Sequence, residues 1–354
     1  MKIGIYSPYL DTLTGGELYI LTAAACLSRN NDVEIFWDDK DILKKASLKF
    51  SLALDNITVR PNIFNTRVTL AKRLLKTKKY DAILYLSDGS IPLVASKKLY
   101  IHFQFPVEWV KLSIGTRLKM GRVDKCICNS HYTKRYIDAK FHVKSFVLYP
   151  PANLCENERE EKENLILTVG RFSLMEDGTD FKKIGIMGKA FKEFQKKRLK
   201  DWKMVIATSV RDEQEKEFEE FRESLKSVHI EIHKNPSYRQ LRNLYAKSKI
   251  YWHGAGFGDD LLKHPERAEH FGITTIEAMS FGCVPIVINA GGQKEIIDNR
   301  VNGFLWNTIP ELVDITHKVA RNKELFEDIS KESIASSKQF SKERFCQELG
   351  QLIR

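Results

Sequence analysis

Two carboxylates, Glu269 and Glu277, flank a turn that contains glycine, with seven residues between them. The pattern predicts a helix over about Thr274 to Ser280, so that Glu277 lies in its first turn. The N–H groups and positive dipole end of a helix suit a phosphate, which a carboxylate in contact with it would repel. We therefore expect Glu277 to bind a neutral polar group, and vicinal ribose hydroxyls are good partners for a carboxylate.

The turn itself, at Phe271, Gly272 and Ile273, is the place where a phosphate would bind. Glu269 precedes the turn, where sugar hydroxyls beyond a diphosphate would lie. Taken singly, Glu277 could serve only to complement the helix dipole, and Glu269 could be a surface charge. The order of turn, helix, buried strand and glycine pair favours a ligand site at the carboxyl edge of a sheet.

Short apolar runs rich in β-branched residues alternate with helical patterns along the whole chain. Such runs are typical of parallel strands that are buried on both faces. The alternation predicts an α/β protein with two doubly wound, Rossmann-like parallel-sheet domains facing a central cleft. The predicted strands are KIGIYS, DVEIFW, NITVRP, DAILYL, KLYIHF, KCICNS and SFVLYP in the first half, and NLILTVG, KMVIATS, VHIEIH, KIYWHG, CVPIVIN and NGFLW in the second.

A proline pair followed by a hydrophilic stretch, from Glu156 to Asn164, has the composition of a linker between two sheets. It predicts an N-terminal domain over residues 1–152 and a C-terminal domain over residues 153–335. Residues 336–354 contain an amphipathic helical pattern after the second sheet is complete.

The composition is that of a soluble globular chain, with 43% hydrophobic and 29% charged residues among 354. No apolar run approaches the roughly 18–20 residues that span a bilayer. The first residues read as a strand rather than a signal peptide, so we expect a cytosolic protein. Six cysteines without a C-x-x-C pair or a suitably spaced His pair predict reduced side chains and no structural metal.

The net charge of +11 indicates an anionic partner. Basic residues concentrate in two segments of the first half, residues 67–79 and residues 111–125. Either segment could be a solvated helix face, but together they favour a peripheral contact with anionic lipid at the inner face of the cell membrane. We expect no nucleic-acid partner, because no DNA- or RNA-binding motif occurs and the basic residues are not interleaved with aromatic ones.

The stretch EHFGITTIEAMSFGCVPIVINAGGQKEII resembles the E-x7-E signature of the family 4 glycosyltransferases, which are retaining nucleotide-sugar enzymes with the GT-B fold. The flanking YWHGAGFG and NGFLW belong to the same pattern. The resemblance implies that Glu277 holds the donor ribose and that Glu269 meets the transferred sugar. Amides near Phe271, Gly272 and Ile273 would contact the sugar and the diphosphate, and the final helix would cross back to the first domain.

A second match is LILTVGRFSLMEDGTDFKKI, where members of the family carry an arginine and then a lysine on the donor diphosphate. The resemblance assigns these roles to Arg171 and Lys182. The spacing between them is longer than in the compact family pattern, and Lys183 stands where glycine is commoner. Two cations would offset the diphosphate charge and stabilise it as it leaves.

The first domain contributes three further residues by resemblance. Gly15 and Gly16 open a helix after the first strand and are similar to the glycine-rich loop whose backbone approaches the donor phosphate and the transferred sugar. His102 ends another strand, where the family often has a histidine whose ring or backbone faces the C6 region of the sugar. A glycine pair can also serve only as a turn, and a lone histidine can be a packed core residue.

The resemblance implies a retaining hexosyltransferase that moves a sugar from a nucleoside diphosphate donor to a hydroxyl of a glycan or lipid-linked acceptor. The resemblance favours mannose and GDP-mannose, and leaves UDP-hexoses open. It implies no cofactor and no metal, because side-chain cations and amides would stabilise the diphosphate. The catalytic candidates are Arg171, Lys182, Glu269 and His102.

Two alternatives use the same architecture. A nicotinamide-dependent dehydrogenase would explain the glycine pair and the acidic FWDD, although no G-x-G-x-x-G follows a strand. A sugar-nucleotide epimerase or a phosphorylase would keep the diphosphate site and lack a sugar acceptor.

Overall fold

The computed structural model describes residues 1–13, 15–156, 160–175, 177–196, 199, 201–226 and 229–353. The chain divides into two compact units. The first unit contains Met1–Pro151 together with Lys342–Arg354, and the second contains Ala152–Ser341.

The second unit therefore continues to Ser341 rather than ending at the expected residue 335. A short 3-10 helix, Lys338–Phe340, explains this. Its Phe340 ring packs edge-on against Phe271 at 5.6 Å between centroids, and the Phe340 carbonyl accepts a hydrogen bond of 3.0 Å from the Ala152 amide. Both contacts lie within the second unit.

The first unit is built on a sheet of seven strands in the order β3-β2-β1-β4-β5-β6-β7. Every pairing is parallel. Strands β1, β2, β4, β5 and β6 are buried over most of their length, which accounts for their apolar sequences, whereas β3 and β7 at the two edges are largely exposed or half-buried. The strands are β1 Lys2–Tyr6, β2 Asp32–Phe36, β3 Ile57–Arg60, β4 Ala82–Ser87, β5 Lys98–Phe103, β6 Lys125–Cys128 and β7 Phe146–Val147.

Helices of the first unit alternate with these strands. Serine and threonine side chains cap several of them: Ser130, for example, accepts a hydrogen bond of 3.0 Å from the Thr133 amide at the start of α5. The helices are α1 Gly15–Leu27, α2 Ile42–Phe50, α3 Leu70–Thr77, α4 Ile114–Met120, α5 His131–Phe141 and the C-terminal helix Lys342–Leu352.

The C-terminal helix completes the core of the first unit. Phe345 and Leu349 are fully buried there, and the Phe345 ring packs edge-on against Tyr19 of α1. A disulfide joins Cys26 of α1 to Cys346, with the two Cα atoms 5.3 Å apart. The prediction that all cysteines are reduced is therefore wrong for this pair, which no spacing rule could reveal because 320 positions separate the two residues.

The second unit has a sheet of six parallel strands in the order β10-β9-β8-β11-β12-β13. The chain order reverses between β8 and β11, and ligands of such sheets bind at the carboxyl ends of strands beside this point. The strands are β8 Glu163–Arg171, β9 Lys203–Ser209, β10 Ile230–Lys234, β11 Ser248–His253, β12 Val284–Ile288 and β13 Phe304–Trp306.

The helices of the second unit alternate with its strands, and one face of the sheet contributes large aromatic and aliphatic side chains to the core. These helices are α6 Ile184–Gln195, α7 Glu215–Ser224, α8 Tyr238–Lys247, α9 Ile273–Ser280, α10 Gln293–Ile296, α11 Ile309–Arg321 and α12 Lys323–Ser337. The two doubly wound parallel sheets confirm the predicted fold class. Within the described residues, no helix combines the length and the apolar character needed to cross a bilayer.

Candidate active site

The turn before α9 depends on Gly272, whose φ of 124° is rarely adopted by residues with a side chain. There is also no room for one, because a Cβ atom would lie 2.7 Å from Nε2 of Gln293. α9 begins at Ile273, directly after this glycine. The predicted helix start is therefore present, with backbone N–H groups and a positive dipole end available for an anion.

A glycine pair from the next loop, Gly291 and Gly292, packs against the backbone of this turn. The Gly292 amide donates a hydrogen bond of 2.7 Å to the Glu269 carbonyl. A Cβ atom at Gly291 would lie 2.3 Å from that carbonyl oxygen, and one at Gly292 would lie 2.5 Å from the His270 carbonyl oxygen. The pair therefore packs directly against the backbone of residues 269–271 and fixes the position of the turn. The sequence pattern did not reveal this role.

The Glu269 side chain lies at the centre of the site. Oε2 of its carboxylate lies 2.5 Å from the Lys182 ammonium and 2.8 Å from Nε2 of His253. Burial alone would raise the pKa of Glu269, but the charge of Lys182 and the His253 hydrogen bond hold this pKa well below its usual range. Glu269 is therefore ionised at neutral pH, as expected for a group that accepts hydrogen bonds from sugar hydroxyls.

His253 is a site residue that sequence reasoning missed. It is the last residue of β11, at the carboxyl edge of the second sheet, and its side chain is buried. Burial lowers the pKa of His253, although the Glu269 carboxylate opposes this effect, so the ring is neutral at physiological pH. The signal was present, because His253 lies within the quoted YWHGAGFG and ends a predicted strand.

A second ion pair lies beside the first. Lys183, the neighbour of Lys182, has a left-handed backbone with φ of 57° and places its ammonium 2.8 Å from Oδ2 of Asp259. Arg267 lies 3.5 Å from Oδ1 of Asp259 and 2.8 Å from Oδ2 of Asp177. These pairs fasten the loop 254–268 to the loop 172–183, and Glu269 follows the first of these loops directly.

Arg171 is the last residue of β8, and its side chain is exposed. The preceding Gly170 packs against the side chain of Lys182, since a Cβ atom there would lie 3.0 Å from Cγ of the lysine. Strand β8 also pairs with β11, which ends at His253. The structure therefore places Arg171 at the same sheet edge as Lys182, Glu269 and His253.

The Glu277 side chain occupies a different environment from the one predicted. Because α9 begins at Ile273, Glu277 lies in the second turn of the helix rather than the first. Its carboxylate is buried and accepts a hydrogen bond of 3.3 Å from the Tyr245 hydroxyl. Burial raises the pKa of Glu277 to about 7, while the Tyr245 hydrogen bond and the Arg242 charge oppose the rise.

Gly15 and Gly16 begin α1 in the first unit, as expected for a helix start after β1. The side chain of Gln104 covers this position, because its Nε2 donates a hydrogen bond of 3.0 Å to the Gly16 carbonyl. A Cβ atom at Gly16 would lie 2.3 Å from Oε1 of Gln104, so only glycine allows this approach. Gln104 is a further residue that the sequence did not single out.

His102 is fully buried in the core of the first unit. Its ring stacks on Tyr19 of α1 at 3.9 Å between centroids, and its Nδ1 lies 3.2 Å from the Ile127 carbonyl oxygen. Burial lowers the pKa of His102 to about 3, so the ring is neutral and is not a source of protons as imidazolium at pH 7. Its predicted role near the transferred sugar stays a prediction.

Among the described residues, no group of three or more His, Cys, Asp or Glu side chains is placed to hold a metal ion.

Family membership follows from comparison with known proteins. The family model of the glycosyl transferases group 1 matches residues 153–335, which is more than half of the chain. The chain belongs to the glycosyl transferases group 1. The matched region lies within the second unit and includes Arg171, Lys182, Glu269 and Glu277.

Relatives of this glycosyltransferase include two eukaryotic mannosyltransferases. It is 24% identical over 304 residues to the GDP-Man:Man(3)GlcNAc(2)-PP-Dol alpha-1,2-mannosyltransferase of Dictyostelium discoideum, covering 81% of this chain and 57% of the relative. It is 26% identical over 264 residues to the human alpha-1,3/1,6-mannosyltransferase ALG2, covering 68% and 58%. The matches thus span a little over half the length of these relatives.

Solved structures share the fold of this glycosyltransferase over its whole length. A glycosyltransferase from Rickettsia africae superposes with a TM-score of 0.74 at 17% identity, covering 99% of this chain and 97% of the other. HepE from Anabaena, in complex with UDP and glucose, gives a TM-score of 0.71 at 16% identity, with 99% of each chain covered.

Proposed function

We propose that this chain is a retaining hexosyltransferase that transfers mannose from GDP-mannose to a hydroxyl of a glycan or lipid-linked acceptor. The observation that carries the proposal is the pairing of Lys182 with the ionised Glu269 beside the start of α9. The site thus combines cationic and amide groups suited to a diphosphate with a carboxylate suited to hydroxyls. The names of the Dictyostelium and human relatives support mannose, and the former supports GDP as the carrier.

In the proposed reaction the acceptor oxygen bonds to C1 of the sugar on the face from which the phosphate departs. The bond between C1 and the phosphate oxygen breaks, and that oxygen takes the acceptor proton. Arg171, Lys182 and the amides at the start of α9 stabilise the negative charge that develops on the diphosphate. Glu269 accepts hydrogen bonds from the sugar and does not attack it.

Glu277 has a separate role in this proposal. Its carboxylate accepts hydrogen bonds from the two ribose hydroxyls of the donor. These bonds take the place of the hydrogen bonds to water that a buried carboxylate lacks. With a pKa of about 7, Glu277 is only partly ionised at neutral pH in the free protein. Hydrogen bonds from the ribose hydroxyls favour the ionised carboxylate, so the donor binds this form more tightly. Donor affinity should therefore rise between pH 6 and pH 8, and this rise should be absent in Glu277→Gln.

A thermal-shift panel with EDTA present tests donor choice. The panel contains GDP, UDP, GDP-mannose, UDP-glucose and NADH, each well above its expected dissociation constant. A ligand at about 100 times that constant adds roughly 2.7 kcal/mol of stability. GDP and GDP-mannose should raise the melting temperature, and NADH should leave it unchanged. A shift with NADH alone would support a dehydrogenase and contradict the proposal.

A transfer assay separates the hexosyltransferase from an epimerase or phosphorylase. GDP-mannose carrying a labelled sugar is incubated with dolichol- or undecaprenol-linked glycans, and the product is analysed for α-linked mannose. An α-mannoside product is expected, since the donor itself is α-linked. Release of labelled mannose 1-phosphate or of an epimerised donor, with no glycoside formed, would overturn the proposal.

We also infer a peripheral contact with anionic membrane, which would bring the chain to a lipid-linked acceptor on the cytosolic side. The second basic segment supports it more strongly than the sequence did. Ile114 and Leu118, one turn apart on α4, are 80% and 72% exposed, and Trp109 just before the helix is also exposed. Exposed Lys111 and Arg117 accompany them, a combination typical of surfaces that bind anionic lipid.

Vesicle flotation tests this contact. Binding to vesicles with one third phosphatidylglycerol should fall at least fivefold in the variant Ile114→Ser/Leu118→Ser. Leu262→Ser is the matched control, since Leu262 is 85% exposed on the second unit and lies outside the basic segments. Equal binding of the wild type to neutral and anionic vesicles would refute the electrostatic part of the inference.

A further inference from the structure

We propose that His253 is a positioning residue that holds the Glu269 carboxylate in its working orientation while Lys182 serves the donor diphosphate. This inference rests on the proposed sugar transfer and adds a residue to it. It starts from one observation, that Lys182 and His253 both approach the same carboxylate oxygen, Oε2 of Glu269.

The two partners of Glu269 differ in how firmly they are held. The Lys182 side chain is flexible and is 22% exposed, so its ammonium is free to turn toward an arriving diphosphate, whose negative charge competes with Glu269 for it. The His253 ring is 2% exposed, and the residue belongs to β11, a strand that is paired on both sides. When the donor binds, His253 is therefore the partner that keeps its place.

The orientation of Glu269 matters because only part of it is available to a ligand. Both side-chain hydrogen bonds that the described residues make to this carboxylate go to Oε2, and the side chain remains 14% exposed. Oε1 is thus the atom presented to a sugar hydroxyl. A bond from a ring fixed by burial sets the plane of the carboxylate and hence the direction of Oε1.

The charge state of His253 suits this task. Because burial keeps the ring neutral, Nε2 carries the hydrogen that the carboxylate accepts, and the negative charge of Glu269 is preserved. Two other titratable groups face Glu269, the half-buried His270 and the buried Tyr251. Burial lowers the pKa of His270 to about 4, so it is also neutral at pH 7, whereas Lys182 is the cation of the cluster.

Steady-state kinetics with the cognate donor provide the first test. His253→Leu should lower kcat about 30-fold and leave the donor KM within about twofold, because the diphosphate and ribose contacts remain. His253→Gln should recover most of kcat, since its amide nitrogen reaches the place of Nε2 and again donates to Oε2. A kcat of His253→Leu equal to that of the wild type would overturn the proposal.

A pH profile distinguishes positioning from simple packing. The His253 hydrogen bond helps to lower the pKa of Glu269, so the acid limb of kcat should move to higher pH in His253→Leu and return in His253→Gln. The profile is measured on kcat with saturating donor, because the bound ribose then keeps Glu277 ionised and removes its titration near pH 7. His317→Leu is the matched control. It removes another buried imidazole of the second unit, stacked on Phe194 at 4.5 Å, and should leave the acid limb in place.

A measurement without activity separates this inference from the proposed function. A double-mutant cycle combines His253→Leu and Glu269→Gln and follows unfolding in denaturant at pH 7. Non-additive changes support the contact even if no donor is ever turned over, and additive changes overturn it even in an active enzyme. If the wild type binds GDP-mannose but transfers nothing, the transfer reaction is refuted. The double-mutant cycle would then still test the contact between His253 and Glu269.

Discussion

The Lys183 ammonium lies 2.8 Å from Oδ2 of Asp259, and the two side chains are only 5% and 7% exposed. This buried pair explains why a lysine is tolerated where the family more often has glycine. The backbone of Lys183 is left-handed, with φ of 57°, a conformation that favours glycine and costs a residue with a side chain about 1 kcal/mol. The lysine offsets that cost by neutralising Asp259, whose buried charge would otherwise have, among the described residues, only the more distant Arg267, at 3.5 Å, as a partner in an ion pair.

The first prediction concerns this pair. Lys183→Gly should relieve the backbone strain and nevertheless destabilise the second unit by about 3 kcal/mol, because Asp259 loses its closest partner. Lys183→Gly/Asp259→Asn should recover most of the loss, since no unpaired buried charge remains. Denaturant unfolding gives both values. Lys263→Gly is the control for an exposed lysine, paired with Asp260, and a loss equal to that of Lys183→Gly would contradict the argument.

The second prediction concerns the pH dependence of stability at Glu277. Burial raises its pKa to about 7 from 4.5, so the folded chain binds this proton more tightly than the unfolded chain. Its contribution to stability is therefore present below pH 4.5 and is lost as the pH rises through 7. Glu277→Gln should be more stable than the wild type at pH 8, by up to about 3 kcal/mol, with the difference vanishing near pH 4.

Urea unfolding of both proteins across pH 4 to 8 would measure this difference. Glu277→Gln should at the same time bind GDP more weakly, which would identify Glu277 as a residue retained for ligand binding at the expense of stability. Stability curves that run parallel over this range would show that Glu277 has an ordinary pKa in the folded chain.

A third prediction compares two glycines. Gly292→Ala should destabilise the second unit by 2 kcal/mol or more and abolish transfer, since the new Cβ would meet the His270 carbonyl oxygen and the Phe271 Cα at 2.5 Å. Gly350→Ala is the matched control. A Cβ at Gly350 has open space within the C-terminal helix, so this change should stabilise the chain by about 0.5–1 kcal/mol. Thermal unfolding with the transfer assay would reveal both effects.

The fourth prediction concerns the disulfide between Cys26 and Cys346. Reduction should lower the stability of the first unit by about 2–4 kcal/mol, because the bond removes entropy from the unfolded chain. Dithiothreitol should therefore lower the melting temperature of the wild type and have no effect on Cys26→Ser/Cys346→Ser. Cys155→Ser, at a cysteine outside any disulfide, should keep the full response to the reductant. An unchanged melting temperature in the reduced wild type would contradict this prediction.

Much of the fold was predictable because many of its strands, such as β1, β4, β9 and β12, are buried on both faces. All thirteen predicted apolar runs correspond to strands among the described residues, since a parallel strand covered by helices has little freedom in its composition. The glycine turn before α9 was equally legible, because positive φ and close approach both demand glycine at Gly272. Such local requirements leave a mark at a single position in the sequence.

The parts that escaped prediction depend on pairs distant in sequence. Glu277 lies in the second turn of α9 because the helix begins directly after Gly272. The pKa of Glu277 is raised because its carboxylate is buried beside Tyr245. His253 belongs to the site because its ring contacts Glu269, sixteen positions away in the sequence. The partners of Lys183 and Cys26 lie farther still, at Asp259 and Cys346. The fold brings these residues together, and the residue types alone do not predict such contacts.

The return of the C-terminal helix to the first unit affects how the protein is made. Phe345, Leu349 and Ile353 belong to the core around α1, yet the ribosome adds them only after all of residues 152–341. During translation the second unit can thus fold from a continuous stretch of nascent chain. The core of the first unit stays incomplete until the C-terminal helix has been synthesised. We expect chaperones to bind stalled nascent chains that expose the uncovered side of α1.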